Sequence, residues 1–268
     1  MTTGEDIERP EQSGYLPLPE VGRVFAGHRR VRLGDAAPGG RVRLDALARY
    51  LQDVAEDDAA DAGWPREVGW VVRKTRMRVR RFPTLGERLR LETFCSGRAA
   101  AWAERTTTVT GEGGGSLQAT SVWVAIDTRS GRPARLGELF DAVYAPSAQG
   151  RRASARLRLP TPPVELVERG RHWPLRASDF DAWRHVNNAI SWAAVEDALA
   201  EVRWPPNEKA AGDGAQWPPI SAELEHHEAI EVEDRPTLCV EHSSGSILVW
   251  LTDRTRVLTA TRVRTAPD

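Results

Sequence analysis

Apolar and polar residues in the first half of the chain change their period in a fixed order. Residues 21–33 end in strand-like alternation, and from Val42 the apolar residues follow the 3.6-residue period of a helix until Gly63. Alternating stretches separated by turn residues come next, at 70–82, 88–94, 102–110 and 117–126. The pattern predicts one helix followed by an antiparallel meander.

The same order returns in the second half. A short strand is predicted at 173–177, a polar loop at 179–186 and a helix at 189–202. Strand-like stretches follow at 220–230, 236–242, 246–251 and 256–264. The stretch between the halves is rich in Ala, Ser, Arg and Pro and has little apolar periodicity, which is typical of a linker.

Equivalent positions keep a constant spacing between the halves. Asp35 and Asp179, and likewise Leu51 and Val195, are 144 residues apart, whereas Met77 and Leu224 are 147 apart. Such agreement across loop, helix and strand indicates a duplicated unit. We therefore predict an α+β chain with a flexible tail at 1–20, a first unit at 21–144, a linker at 145–165 and a second unit at 166–268.

Candidate chemistry is concentrated in the loop before the second helix, which reads SDFDAWRHVNN from Ser178 to Asn188. Helix capping explains an Asn or Asp here, Asn187 or Asn188 above all, because their side-chain oxygens accept bonds from unpaired amides. Capping does not explain an Asp and a His four residues apart. In the first half, Ala37 and Arg41 stand where this loop has Asp181 and His185, so only one unit carries the titratable pair.

The loop resembles the segment ending in HVNN that begins the helix of the acyl carrier protein (ACP) thioesterases. LEHHEA at 224–229 is similar to the family's LEYRREC strand with one residue fewer, and stretches at 73–94 and 119–127 resemble its first-half strands. The resemblance covers roughly 21–264. It implies a double hotdog, two tandem folds that each wrap an antiparallel sheet around a long helix, with the acyl chain held by the first.

The resemblance implies catalytic roles for Asp181, His185 and Glu228. On sequence alone, a solvent-facing strand residue is the favoured interpretation of Glu228, and the family resemblance reverses that preference. The adjacent His226 and His227 are expected at the surface or rim. The family's Asn between the Asp and the His is Trp183 here. An indole donates one hydrogen bond and accepts none, so Trp183 cannot replace an amide.

A mechanism follows as a hypothesis. Amides near Val186 to Asn188 polarise the thioester carbonyl at the positive end of the helix, with Asn187, Asn188 and Trp183 in supporting positions. Glu228 or Asp181 activates water or attacks to give an anhydride, and His185 positions the water or protonates the leaving thiol. The sequence does not decide between base and nucleophile.

A basic face is predicted on the strand that carries Arg76, Arg78 and Arg80, since alternate residues share one side of a strand. It either binds an acidic carrier protein through charge-assisted contacts or is an ordinary solvated face. The expected substrate is a thioester of ACP or of coenzyme A. A homodimer is possible, although the duplication can satisfy hotdog pairing internally.

Composition narrows the class of protein. The 268 residues are 40% hydrophobic and 28% charged with a net charge of −1, which gives no general attraction to nucleic acid or membrane. Two cysteines without a metal-binding spacing, and no HExxH motif, predict neither disulfide scaffold nor metal site, and no cofactor is expected. No apolar run reaches membrane-span length and the acidic start is unlike a signal peptide, so we expect a cytoplasmic protein.

The sequence therefore predicts a thioesterase that hydrolyses fatty acyl-ACP to free fatty acid and holo-carrier protein in fatty acid biosynthesis. An acyl-CoA thioesterase and a non-catalytic acyl-binding protein with a decayed site are the alternatives, and Trp183 favours the second. A dehydratase or hydratase fits less well, because its sites resemble a different His/Asp or His/Glu arrangement.

Overall fold

The computed structural model describes residues 15–65, 67–202, 217–243 and 245–266. The rest of the predicted N-terminal tail, residues 1–14, lies outside the described residues. Helices span α1 Leu44–Asp61, α2 Glu138–Ala148, α3 Val164–Glu168 and α4 Ile190–Glu201. Strands span β1 Phe25–Arg30, β2 Val68–Arg81, β3 Arg88–Arg98, β4 Trp102–Gly111, β5 Ser116–Asp127, β6 Arg171–His172, β7 Ile220–His226, β8 Thr237–Ser243, β9 Ser246–Asp253 and β10 Arg256–Thr265.

Within the described ranges, the strands form one ten-stranded antiparallel sheet in the order β1-β3-β4-β5-β2-β7-β10-β9-β8-β6. The five strands on one side come from the first half of the chain, and the five on the other side come from the second half in mirrored order. The halves join where β2 pairs with β7. The predicted double hotdog is confirmed.

The pairing of β2 with β7 shows that the halves are related by a local twofold axis. Arg76 lies opposite Glu223, and these two positions are separated by the repeat spacing of 147. The Arg76 Nη2 atom is 3.4 Å from a Glu223 carboxylate oxygen. An arrangement that a single hotdog forms only by pairing with a second copy is thus formed within this chain.

Both long helices pack on the same side of the sheet and against each other. On α1 the predicted stripe of Leu44, Leu47, Leu51 and Val54 is buried. On α4, Trp192 is 1% exposed and belongs to the same hydrophobic core cluster. Because one core includes side chains from both halves, the stability of each half depends on the other.

The connection between the halves is anchored along its length, unlike a free linker. Its predicted start at residue 145 falls inside α2, where Phe140 and Tyr144 are buried. Farther on, the Glu225 carboxylate accepts hydrogen bonds from the amides of Arg158 at 2.7 Å and Leu159 at 3.0 Å. Burial favours a raised pKa for Glu225, but the His227 imidazole, 3.6 Å from the carboxylate, and these amides outweigh burial and lower it.

The last part of the predicted tail also packs on the sheet. The amide of Leu16 donates to the Gln118 side chain at 2.7 Å, and the Tyr15 hydroxyl donates to the carbonyl of Arg78. Periodicity does not predict these contacts because they use single side chains rather than a repeated apolar face.

Candidate active site

The loops before α1 and α4 have the same backbone hydrogen bonds. The Ala37 amide donates to the Arg41 carbonyl at 2.8 Å, and 144 residues later the Asp181 amide donates to the His185 carbonyl at 2.9 Å. Arg32 and Arg176 donate their amides to the carboxylates of Asp35 and Asp179, which end a 3₁₀ turn in each half. The duplication therefore extends to loop geometry, and the loops differ in their side chains.

Asp181 and His185 both lie in the second loop, where the Asp181 amide donates to the His185 carbonyl. The Asp181 carboxylate accepts a hydrogen bond from the Trp183 amide at 2.9 Å, which holds it in a tight turn. Trp183 itself is 63% exposed. Arg184 has a φ of +66°, a left-handed conformation that Gly40 adopts at the equivalent position of the first loop.

The imidazole of His185 pairs with Glu231, a residue that the sequence did not single out. Their Nδ1 and Oε1 atoms are 3.1 Å apart, and both side chains are about half exposed. The contact arises because the Val186 amide donates to the Ile230 carbonyl at 3.1 Å, which brings the segment after β7 alongside the loop. The first half repeats this bond between Val42 and Pro83, and that repeat is the signal that identifies the neighbouring residue.

Glu228 lies in the same segment after β7, three residues before Glu231. Its carboxylate accepts a hydrogen bond at 2.9 Å from Arg256, which also binds Asp234. Asp234 in turn accepts a bond from the amide of Glu231. Among the described residues Glu228 has no direct contact with Asp181 or His185, so the three are linked through a polar network rather than by touching. Their catalytic assignment stays a prediction.

At the start of α4, the Asn188 amide has no hydrogen-bond partner among the described residues. The amide of Val186 is used by Ile230, and the Asn187 amide donates to Asp179 at 2.9 Å. The Asn187 side chain caps the amide of Ala189, as the capping interpretation predicts. That leaves the N–H of Asn188 available to a ligand at the positive end of the helix.

A cavity of about 20 Å³, partly open to solvent, lies between the two halves at the start of α4. Its wall includes Gln52 of α1, Thr75 of β2, Asn188 and His226. The expectation that His226 lies at the surface is wrong, because it follows Leu224 on the inward face of β7 and is only 9% exposed. Burial, together with the nearby Arg73 and His227, lowers the pKa of His226 to about 3, and its Nε2 has no hydrogen-bond partner among the described residues.

The predicted basic face is present on the outer side of β2. Arg76 is paired with Glu223, and the Arg80 guanidinium lies 4.1 Å from the centre of the Tyr15 ring. Arg78 is not without a partner either. Binding of a carrier protein at this face stays a prediction.

Within the described residues no helix is long and apolar enough to cross a membrane. In the same part of the chain, no group of three His, Cys, Asp or Glu residues is arranged to hold a metal ion. Cys95 and Cys239 are free thiols, both buried.

Comparison with known proteins supports the fold. Residues 22–144 match the acyl-ACP thioesterase N-terminal domain. An uncharacterized protein of Mycobacterium tuberculosis strain H37Rv is 26% identical over 185 residues, 69% of this chain and 73% of that protein. Among solved structures, the 12:0-ACP thioesterase from Umbellularia californica has a TM-score of 0.70 at 19% identity, covering 91% of this chain and 98% of that one. An acyl-ACP thioesterase from Bacteroides thetaiotaomicron also has a TM-score of 0.70, at 17% identity over 90% and 97% of the two chains. The resemblance to the acyl-ACP thioesterase family is thereby confirmed over residues 22–144, and the solved structures share the double-hotdog fold of this chain.

Proposed function

We propose that the protein hydrolyses fatty acyl-ACP to a free fatty acid and holo-carrier protein, a reaction of fatty acid biosynthesis. The domain match over 22–144 and the double-hotdog fold support a thioester hydrolase. The main support for the location of the active site is the Asn188 N–H, which has no hydrogen-bond partner among the described residues. It lies at the start of α4, directly after the loop that carries Asp181 and His185.

The proposed reaction begins with water attacking the thioester carbonyl carbon. As the C–O bond forms, negative charge develops on the carbonyl oxygen, and the Asn188 N–H at the helix N-terminus stabilises it. A carboxylate takes the proton from the water. When the C–S bond breaks, the thiolate leaves and receives a proton from His185, which Glu231 orients through its 3.1 Å contact.

Asp181 and Glu228 are the proposed carboxylates, and their surroundings differ. Asp181 is held by the Trp183 amide in the loop that also carries His185, whereas Glu228 is bound to Arg256. The arginine must release Glu228 before that carboxylate can accept a proton. This contrast favours Asp181 as the base, with Glu228 part of the charged network at the rim. Attack by a carboxylate to form an anhydride is the second path.

The proposal is tested by thiol release from a panel of acyl-ACP and acyl-CoA thioesters assayed in parallel. We expect Asp181→Ala to lower kcat by about 10²-fold or more, as the loss of a general base does, and Glu228→Ala to lower it less. Glu233→Ala is the control, because Glu233 is an exposed carboxylate in the same loop. Unchanged activity in both test variants would overturn the site, and higher kcat/KM on coenzyme A thioesters would reassign the carrier.

The cellular setting and assembly are part of the proposal. Two buried free thiols suit a reducing cytoplasm. Pairing of β2 with β7 already supplies the contact that a single hotdog obtains from a second copy, so catalysis by a monomer is expected, and any homodimer would use another surface.

A further inference from the structure

The local twofold axis gives each helix N-terminus an equivalent crevice, and the two crevices are filled differently. In the first, the Glu196 carboxylate of α4 accepts a hydrogen bond from the Leu44 amide at 2.7 Å. Arg41 holds the same carboxylate through two bonds of 2.9 and 2.6 Å. Arg41 also lies over the Trp217 ring at 3.8 Å, so side chains of this protein occupy the place beside the Leu44 amide.

At the second crevice the repeat spacing of 144 replaces each of these residues. Asn188 stands for Leu44, His185 for Arg41 and Gln52 for Glu196. Gln52 and Asn188 both line the 20 Å³ cavity. Among the described residues neither the Gln52 side chain nor the Asn188 amide has a hydrogen-bond partner, whereas their equivalents bind each other.

A third group in the cavity independently indicates a ligand. His226 is buried and its Nε2 has no hydrogen-bond partner among the described residues. An unsatisfied buried polar atom is unfavourable, and proteins retain one chiefly where a ligand or ordered water completes it. A volume of about 20 Å³ accommodates an atom group the size of a water molecule. A carbonyl oxygen has that size.

We propose that this cavity receives the thioester carbonyl oxygen and that Gln52, from the half that carries none of the predicted catalytic residues, donates its side-chain N–H to it beside the Asn188 amide. The inference rests on the proposed function. The first crevice supports it, since it places the side chain at position 196 within 2.7 Å of the equivalent amide. A glutamine supplies a donor there, whereas a carboxylate would occupy the amide and repel the oxyanion.

The test compares Gln52→Leu and Gln52→Glu with the wild type in acyl-ACP hydrolysis. Loss of one oxyanion donor is expected to lower kcat by about 10²-fold with KM nearly unchanged. The Glu variant should lose at least as much, because it recreates the contact of the first crevice. Glu56→Gln, an exposed position on the same helix, is the control and should retain wild-type kcat.

His226→Leu separates a functional role from a structural one. If the unpartnered imidazole serves the substrate, its removal should lower kcat while the melting temperature stays equal or rises. A fall in melting temperature with unchanged kcat would assign it to structure alone.

The two proposals fail in different ways. Wild-type kcat in both Gln52 variants, alongside an active wild type, would overturn the role of Gln52 and leave the thioesterase intact. No thiol release by the wild type from any ACP or coenzyme A thioester would overturn the proposed function, and the role of Gln52 with it.

Discussion

The two crevices at the helix N-termini share a backbone and have opposite contents. Around α1, Arg41 and Glu196 form a buried ion pair whose side chains are 9% and 10% exposed. Around α4, the equivalent His185 and Gln52 make no such pair, and a cavity remains. In this duplicated fold, the same positions thus form an ion pair between the halves in the first crevice. In the second crevice they leave polar groups without hydrogen-bond partners among the described residues.

The contrast depends on few substitutions, because the supporting loops are alike. Asp35 and Asp179 accept the same type of amide bond, and the bond from Val42 to Pro83 recurs from Val186 to Ile230. A rigid scaffold is required wherever a site must be held in position. The first half keeps that scaffold without the site, which indicates that the loop geometry serves folding in both halves.

Breaking the ion pair in the first crevice should have the largest effect on stability. Glu196→Gln leaves the buried Arg41 charge without its partner, and we expect the free energy of unfolding to fall by about 3 to 5 kcal/mol. Urea denaturation measures it. Glu201→Gln is the matched control on α4, since its ion pair with Arg171 is exposed and should be worth under about 1 kcal/mol. If Glu196→Gln lowered the free energy of unfolding no more than the control does, the Arg41–Glu196 ion pair would not stabilise the contact between the halves.

His226, in the second crevice, should make the free energy of unfolding depend on pH in the acid range. The folded pKa of His226, about 3, lies below the unfolded value of 6.5, so the unfolded chain binds an extra proton between these values. This part of the stability is complete above pH 6.5 and is lost as pH falls toward 3, by up to about 1.4 kcal/mol per pH unit.

Substituting the first half's residue sharpens that comparison. Val79 is the equivalent of His226, and His226→Val should flatten the decline of stability between pH 6.5 and 4 relative to the wild type. Denaturant titrations at several pH values measure the difference in slope, which a cavity left by the smaller side chain does not alter. Identical slopes would mean that His226 is protonated in the folded protein.

The hydrophobic period predicted most of the fold because most elements have one buried face. The stripe on α1 and the alternation on β2 appear at the expected places. The strand expected at 173–177 instead lies at Arg171–His172, a two-residue edge strand set by pairing with β8 rather than by its own pattern. The predicted linker overlaps α2, whose Phe140 and Tyr144 are too few to give a clear period in that stretch.

The candidate site was predictable where it follows one loop and unpredictable where it depends on contacts between distant segments. The HVNN loop marks the start of α4 and its capping Asn187. Gln52 meets Asn188 only because the two halves pack together, and His226 meets it through the fold of the second half. The repeat spacing showed that Arg41 stands at the position equivalent to His185. It did not show the reason, because Glu196, the partner of Arg41, lies 155 residues away.

The smallest expected effect concerns the backbone of the second loop. Arg184 adopts φ +66° where the first loop has Gly40 at +87°. A residue with a Cβ is strained in that region by about 1 to 2 kcal/mol, and glycine loses part of the advantage through greater unfolded-chain entropy. Arg184→Gly should therefore stabilise the protein by roughly 0.5 to 1 kcal/mol.

Thermal unfolding checks this against Ala182→Gly, an exposed neighbour without a positive φ, which should be neutral or destabilising. Stabilisation only at position 184 would mean that the second loop retains a strained arginine that the first loop avoids, as expected if the side chain serves the site. Equal effects at both positions would leave the two loops equivalent in strain.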